Sequence, residues 1–184
     1  EENGMLTIDS SNLTNPEARY ELVKTMRASI LVMGPLLAKY GRAKISQPGG
    51  CNIGTRPIDF HLSGLEQMGA EIKIDSKFIY LEAKKLKPID FSFPKISVTG
   101  TENLIMAAIF TPGVTNLKNC AKEPEVVDLI NFLNSCGAKI EGAGTSNISI
   151  TGVEDLVGGD WNILPDRIEA GTYLVAGAIT NGHV

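Results

Sequence analysis

The sequence predicts an α/β (α+β) fold built from repeated helix–strand units. Two recurring segments carry that prediction. Residues 62–72 resemble residues 130–140, and their Gly-Ala pairs lie 68 positions apart. A different helical run, residues 104–109, resembles residues 174–179 at an offset of 70. Chance similarity of apolar helices is the competing explanation, because Gly-Ala is common at helix ends. Two independent element types sharing nearly one period favour stacked units instead. The length, 184 residues, suits one domain, or one domain and part of another.

The elements follow in chain order. Residues 5–9 alternate like a short strand. Pro16 precedes a long helical stretch from about Arg19 to Tyr40, with Leu22, Met26, Ile30, Met33 and Leu37 forming one apolar stripe. Pro35 predicts a kink or break within it, and Gly41 a stop. A second helix runs from about Asp59 to Met68 and ends at Gly69. Strands follow at 71–74 and 78–81, joined by a polar turn. Residues 95–103 join a strand to a helix start, and that helix ends in a glycine turn at Gly113. Glu123-Pro124-Glu125 opens the next helix, where acids suit the N-terminal dipole. A hairpin then ends at residues 148–152. Pro165-Asp166-Arg167 predicts a turn with a local ion pair, and Gly182 a turn after the last helix. Residues 1–15 resemble the tail of an earlier unit, and 165–184 open another. The expected division is 1–164, the end of one repeat plus two repeats, and 165–184, the start of a second domain. The chain therefore reads as a truncated part of a longer polypeptide.

Composition narrows the function. A net charge of −4 disfavours a nonspecific grip on nucleic acid. No segment has the length and polarity of a membrane span, and the acidic start is no signal peptide. Cys51, Cys120 and Cys136 are an odd number without a CxxC pair, which fits reduced thiols in a cytoplasmic protein. His61 and His183 are isolated, with no ligand spacing, so no metal site is expected. There is no P-loop or dinucleotide fingerprint, and no cofactor is expected.

The most informative segment is Gln47-Pro48-Gly49-Gly50-Cys51-Asn52-Ile53-Gly54-Thr55-Arg56-Pro57. Its glycines allow bends and close ligand approach. A nearby guanidinium favours thiolate over thiol, so Cys51 is a candidate acid or nucleophile. The plain alternative is a well-packed loop with a structural cysteine. Arg27 and Arg56 could grip phosphate or carboxylate. Alternatively they serve solvation, or pair with Asp59 and Glu66. Arg56, Pro57, Ile58, Asp59 and Phe60 combine a cation, a rigid ring, an acceptor and apolar groups suited to a uracil or ribose. Asp59 could equally cap a helix. Lys95, Ile96, Ser97 and Val98 lead into a helix whose open N–H groups attract anions.

Taken together, residues 24–29, the cysteine loop 48–57, and residues 123–128 and 164–169 resemble the UDP-N-acetylglucosamine 1-carboxyvinyltransferases of the enolpyruvyl transferase family. The resemblance runs from about Ile8 to the C-terminus, and the cysteine loop is its most specific part. It implies two inside-out, barrel-like α/β domains, each of three helix–strand units with helices inside and sheets outside. It implies transfer of enolpyruvate from phosphoenolpyruvate to the 3-hydroxyl of UDP-N-acetylglucosamine, the first committed step of peptidoglycan precursor synthesis. By this resemblance Cys51 is the proton donor and the site alkylated by fosfomycin. Arg27 and Arg56 bind anions, Arg56 to Phe60 hold the uridine, and Lys95 to Val98 contact the nucleotide. Residues 97–103 differ from some members. The general base lies in the missing second domain, and the family's N-terminal Lys-Asn pair is also absent, so the chain alone is expected to be inactive. A shikimate-pathway transferase, which shares the architecture but not this cysteine loop, is one alternative. A non-catalytic repeat scaffold is another.

Overall fold

The computed structural model describes residues 4–23, 26–46 and 58–184; within these, the side chains of Leu22 and Arg27 are not described. Its strands form two four-stranded sheets with identical connectivity. The first contains β1 (Glu17–Ala18), β2 (Arg42–Ser46), β3 (Glu71–Ile74) and β4 (Phe78–Glu82), in the order β1-β2-β4-β3. The second contains β5 (Asp90–Ser92), β6 (Val114–Lys118), β7 (Lys139–Glu141) and β8 (Asn147–Thr151), in the order β5-β6-β8-β7. In each sheet the first pair is parallel and the other two are antiparallel. The parallel pairs require crossovers, which the helices supply.

The helices are α1 (Tyr20–Val23), α2 (Met33–Tyr40), α3 (Asp59–Gln67), α4 (Val98–Ala108), α5 (Pro124–Ser135) and α6 (Arg167–Thr180). A 3-10 stretch, Arg27–Val32, leads directly into α2. Helix α4 is the centre, buried along most of its length and packed against α2, α3, α5 and the 3-10 stretch. Each sheet turns one face inward. Ala43, Ile45, Ile79 and Leu81 are buried in one, Leu117, Ile148 and Ile150 in the other. Alternate strand positions face outward, as period-two strands with one buried face require. With α2, α3, α4 and α5 inside and the two sheets outside, this part of the chain has the arrangement expected above.

The Gly-Ala repeat has a physical basis in both copies. Gly69 and Gly137 have φ of 97° and 102°, in the left-handed range. The Ala70 N–H donates to Leu65 carbonyl, and the Ala138 N–H to Leu133 carbonyl, each at 3.0 Å. This helix-end geometry takes up carbonyls that the helix leaves unpaired, and glycine adopts it without Cβ strain.

Several local expectations are corrected. The predicted helix from Arg19 to Tyr40 is divided into α1, the 3-10 stretch and α2. Pro35 does not break α2; it sits in the first turn of that helix, where the fixed φ of proline suits the helical backbone. Met26 leaves the apolar stripe. It is extended, with φ −137° and ψ 108°, and 56% exposed. Gly41 does end α2, at φ 68°. Residues 6–10 form no strand; Met5, Leu6 and Ile8 are exposed, so their alternation has no sheet face to bury. After α6 the chain turns at Asn181 and Gly182 as expected: Asn181 takes the left-handed conformation, which asparagine tolerates, and the Gly182 N–H donates to the Gly177 carbonyl at 3.0 Å.

Helix α6 is largely exposed, with Gly177 its buried residue. Asp166 caps it, accepting the Ile168 and Glu169 N–H groups. Arg167 forms no local pair. Its guanidinium reaches α5 and donates twice to Glu125, at 3.0 and 2.8 Å. Such a fork matches a carboxylate better than a neighbour in the same turn could.

Candidate functional site

Cys51, Arg56 and Pro57 lie outside the described residues. Arg27 begins the 3-10 stretch. The remaining predicted site residues fall in two short segments, and the fold brings these together. Ile58, Asp59 and Phe60 form the start of α3. Lys95, Ile96, Ser97 and Val98 lead into α4.

At the first segment, the Ile58 carbonyl accepts the His61 N–H at 3.0 Å and the Leu62 N–H at 3.2 Å. Ile58 occupies the cap position and makes no side-chain cap bond. The capping role considered for Asp59 is therefore not realised. Asp59 is the first helical residue and exposed, where its charge suits the dipole. Phe60 and Ile58 pack partly against the core. At the second segment, Ser97 is a true cap, its Oγ accepting the Gly100 N–H at 3.1 Å. Val98 packs partly against the core, while Lys95 and Ile96 are exposed.

Helices α3 and α4 pack closely because Gly64 has no side chain. A Cβ there would collide with the Leu104 methyls. That contact brings His61, one residue after Phe60, against Thr99, one residue after Val98. His61 Nε2 lies 3.3 Å from Thr99 Oγ1, and His61 Nδ1 lies 2.8 Å from Asn103 Nδ2. Asn103 Oδ1 accepts the Gly34 N–H of α2 at 2.7 Å. His61 is 3% exposed and Asn103 fully buried. Neither residue stands out in the sequence: His61 has no ligand spacing around it, and Asn103 belongs to no motif. The available signal was the polar run Thr101-Glu102-Asn103 at the head of an apolar helix, where polar groups must find partners.

Glu102 is the other buried polar group of interest. It is 8% exposed, and burial, reinforced by Glu125 and Glu123, pushes its carboxyl up to about 7. Neither a cation nor a hydrogen bond meets this carboxylate among the described residues. Thr101, beside it, accepts the Ala121 N–H at 3.1 Å and ties α4 to the chain entering α5. Cys120 and Cys136 are buried free thiols, and burial pushes Cys120 up to about 11. Among the described residues no His, Cys, Asp and Glu cluster could hold a metal ion, and no helix is long and apolar enough to cross a membrane. A groove of about 940 Å³ lined by Lys39, Lys85, Phe110 and Asp155 shares no residue with either candidate segment.

The sequence profile of EPSP synthase (3-phosphoshikimate 1-carboxyvinyltransferase) matches residues 1–184. The chain belongs to the EPSP synthase family. Within it, a UDP-N-acetylglucosamine 1-carboxyvinyltransferase of Ruthia magnifica is 59% identical over 184 residues, all of this chain and 44% of that protein. Proteins of the same name from Koribacter versatilis and Coxiella burnetii are 58% and 57% identical. Each match covers 97% of this chain, and 41% and 42% of those proteins respectively. The chain thus spans less than half the length of these curated relatives. Among solved structures, the enolpyruvyl transferase NikO from Streptomyces tendae has a similar fold, with a TM-score of 0.75 at 24% identity. That match covers 92% of this chain and 40% of NikO. An EPSP synthase from Acinetobacter baumannii gives 0.58 at 21% identity, over 71% of this chain and 30% of that one. These two establish family architecture, the enolpyruvyl transferase fold, and nothing about substrate.

Proposed function

We propose that this chain contributes the sugar-nucleotide and proton-donor side of an enolpyruvyl transfer from phosphoenolpyruvate to the 3-hydroxyl of UDP-N-acetylglucosamine. The observation that carries the reading is identity of 56 to 59% along the chain with relatives bearing that enzyme's name. The cysteine loop and the two juxtaposed segments support it.

In this reading the Cys51 thiol gives its proton to the methylene carbon of phosphoenolpyruvate. The adjoining carbon becomes oxocarbenium-like, and the sugar hydroxyl attacks it while a base takes the hydroxyl proton. Loss of phosphate, with return of a proton from the new methyl group, restores the double bond. A thiol suits the first step because its proton affinity can be tuned toward the working pH. Arg27 and Arg56 bind anionic groups and stabilise the departing phosphate. Arg56, Pro57, Ile58, Asp59 and Phe60 receive the uridine, and Lys95, Ile96, Ser97 and Val98 contact the nucleotide. Peptidoglycan precursor synthesis, alkylation of Cys51 by fosfomycin and a cytoplasmic setting follow from the same reading. Residues 1–164 belong to one domain and 165–184 begin the second, which supplies the base.

Titration of the chain with UDP-N-acetylglucosamine should shift the backbone resonances of Ile58 to Phe60 and leave those of the outer sheet faces unchanged. No shift at those residues under saturating ligand refutes the reading. Given both substrates, the 184-residue chain alone should release no phosphate at steady state. The shikimate-type alternative draws on the family description and the solved EPSP synthases. Shifts on adding shikimate 3-phosphate, and none with the sugar nucleotide, would favour it.

A further inference from the structure

We propose that Asn103 is a positioning residue that sets the His61 ring and, through it, the spacing between the two nucleotide-contacting segments. The proposal rests on the reading of Ile58 to Phe60 and Lys95 to Val98 given above. Asn103 Oδ1 accepts from the Gly34 N–H, a backbone group that can only donate. That bond fixes which end of the amide faces which way. The amide nitrogen must then point at His61 Nδ1, and it too can only donate. His61 Nδ1 is therefore the acceptor, and the neutral ring carries its proton on Nε2. From there it donates to Thr99 Oγ1 at 3.3 Å.

The Asn103 amide, in the second turn of α4, thus links the first turn of α2 to the first turn of α3, and the His61 ring carries the link on to Thr99 in the first turn of α4. His61 directly follows Phe60, and Thr99 directly follows Val98. The ring bridges the two segments one residue downstream of each. Gly34 is part of the device, since a Cβ there would collide with the Asn103 carbonyl and side-chain oxygens. Only an unsubstituted backbone lets α2 come close enough to orient the amide.

The test uses Asn103→Asp, which keeps the shape and the acceptor but removes the donor. At pH 8 the carboxylate should draw the ring proton to Nδ1. Nitrogen-15 spectra of His61 should show Nδ1 bare in the unaltered chain and protonated in the variant. UDP-N-acetylglucosamine affinity should fall about ten-fold, and Thr99→Val, at an exposed position, should lower it about five-fold. Circular dichroism should show both variants folded. If Asn103→Asp does not fold, Thr99→Val and the spectrum of the unaltered chain decide. A protonated Nδ1 in the unaltered chain, an unchanged proton position in Asn103→Asp, or undiminished affinity in the folded variants overturns the proposal. If the unaltered chain does not bind the sugar nucleotide, that reading falls, while the nitrogen signals still decide whether Asn103 sets the ring.

Discussion

Replacing Glu102 with glutamine should stabilise the protein at alkaline pH and leave it nearly unchanged in acid. The carboxyl is 8% exposed and pushed from an ordinary 4.5 up to about 7, chiefly by burial and then by Glu125 and Glu123. Between these values the folded state holds a proton that the unfolded chain releases. Stability therefore falls as pH rises from about 4.5 to about 7, and the full penalty persists above 7. The gap of roughly 2.5 pH units corresponds to about 3 kcal/mol. Glutamine resembles the neutral acid in shape and carries no charge, so Glu102→Gln removes that penalty. For a protein of this size the gain at pH 8 should be roughly 10 °C in melting temperature. Urea and thermal unfolding of both proteins at intervals from pH 4.5 to pH 8 provide the assay. A difference that does not grow with pH, or a Glu102→Gln protein less stable at pH 8, refutes the reasoning.

Three further outcomes are expected. Cys51 should react with an alkylating reagent well before Cys120 and Cys136, which are buried, with Cys120 pushed up to about 11; mass spectrometry of peptides after timed labelling gives the order. Ser97→Ala should cost about 1 kcal/mol in urea denaturation, because the Gly100 N–H loses its acceptor at the head of the central helix. Arg167→Ala should lower global stability by less than about 1 kcal/mol, since its pair with Glu125 is solvent-exposed, but hydrogen exchange should show α6 opening more readily.

The repeat was legible in the chain because two turns demand the same unusual backbone. Gly69-Ala70 and Gly137-Ala138 mark them in the sequence, and the paired hydrogen bonds confirm one geometry. Hairpin strands were legible for the same reason: period-two alternation between glycine and polar turns leaves few alternatives. The three-part helical stretch before Tyr40 was not. Its apolar spacing suits a continuous helix, while the extended backbone at Met26 interrupts it. At the candidate site, the segments at 58–60 and 95–98 could be named from local residues. Their meeting could not, because it depends on Gly64 admitting Leu104 and on Asn103 reaching both His61 and Gly34. Such partners are 42 and 69 positions apart and follow no local period. Arg167 misled for a related reason: Asp166 beside it serves the helix N-terminus, leaving the cation to a partner on another helix.

The Arg167 fork has an electrical consequence. Glu125 is one of the charges that make Glu102 reluctant to ionise, and Arg167 partly neutralises Glu125. Swinging the last helix away would expose the full negative charge of Glu125 to Glu102. Near neutrality, departure of that helix would draw a fraction of a proton from solvent, so a pH indicator in weak buffer could register its movement.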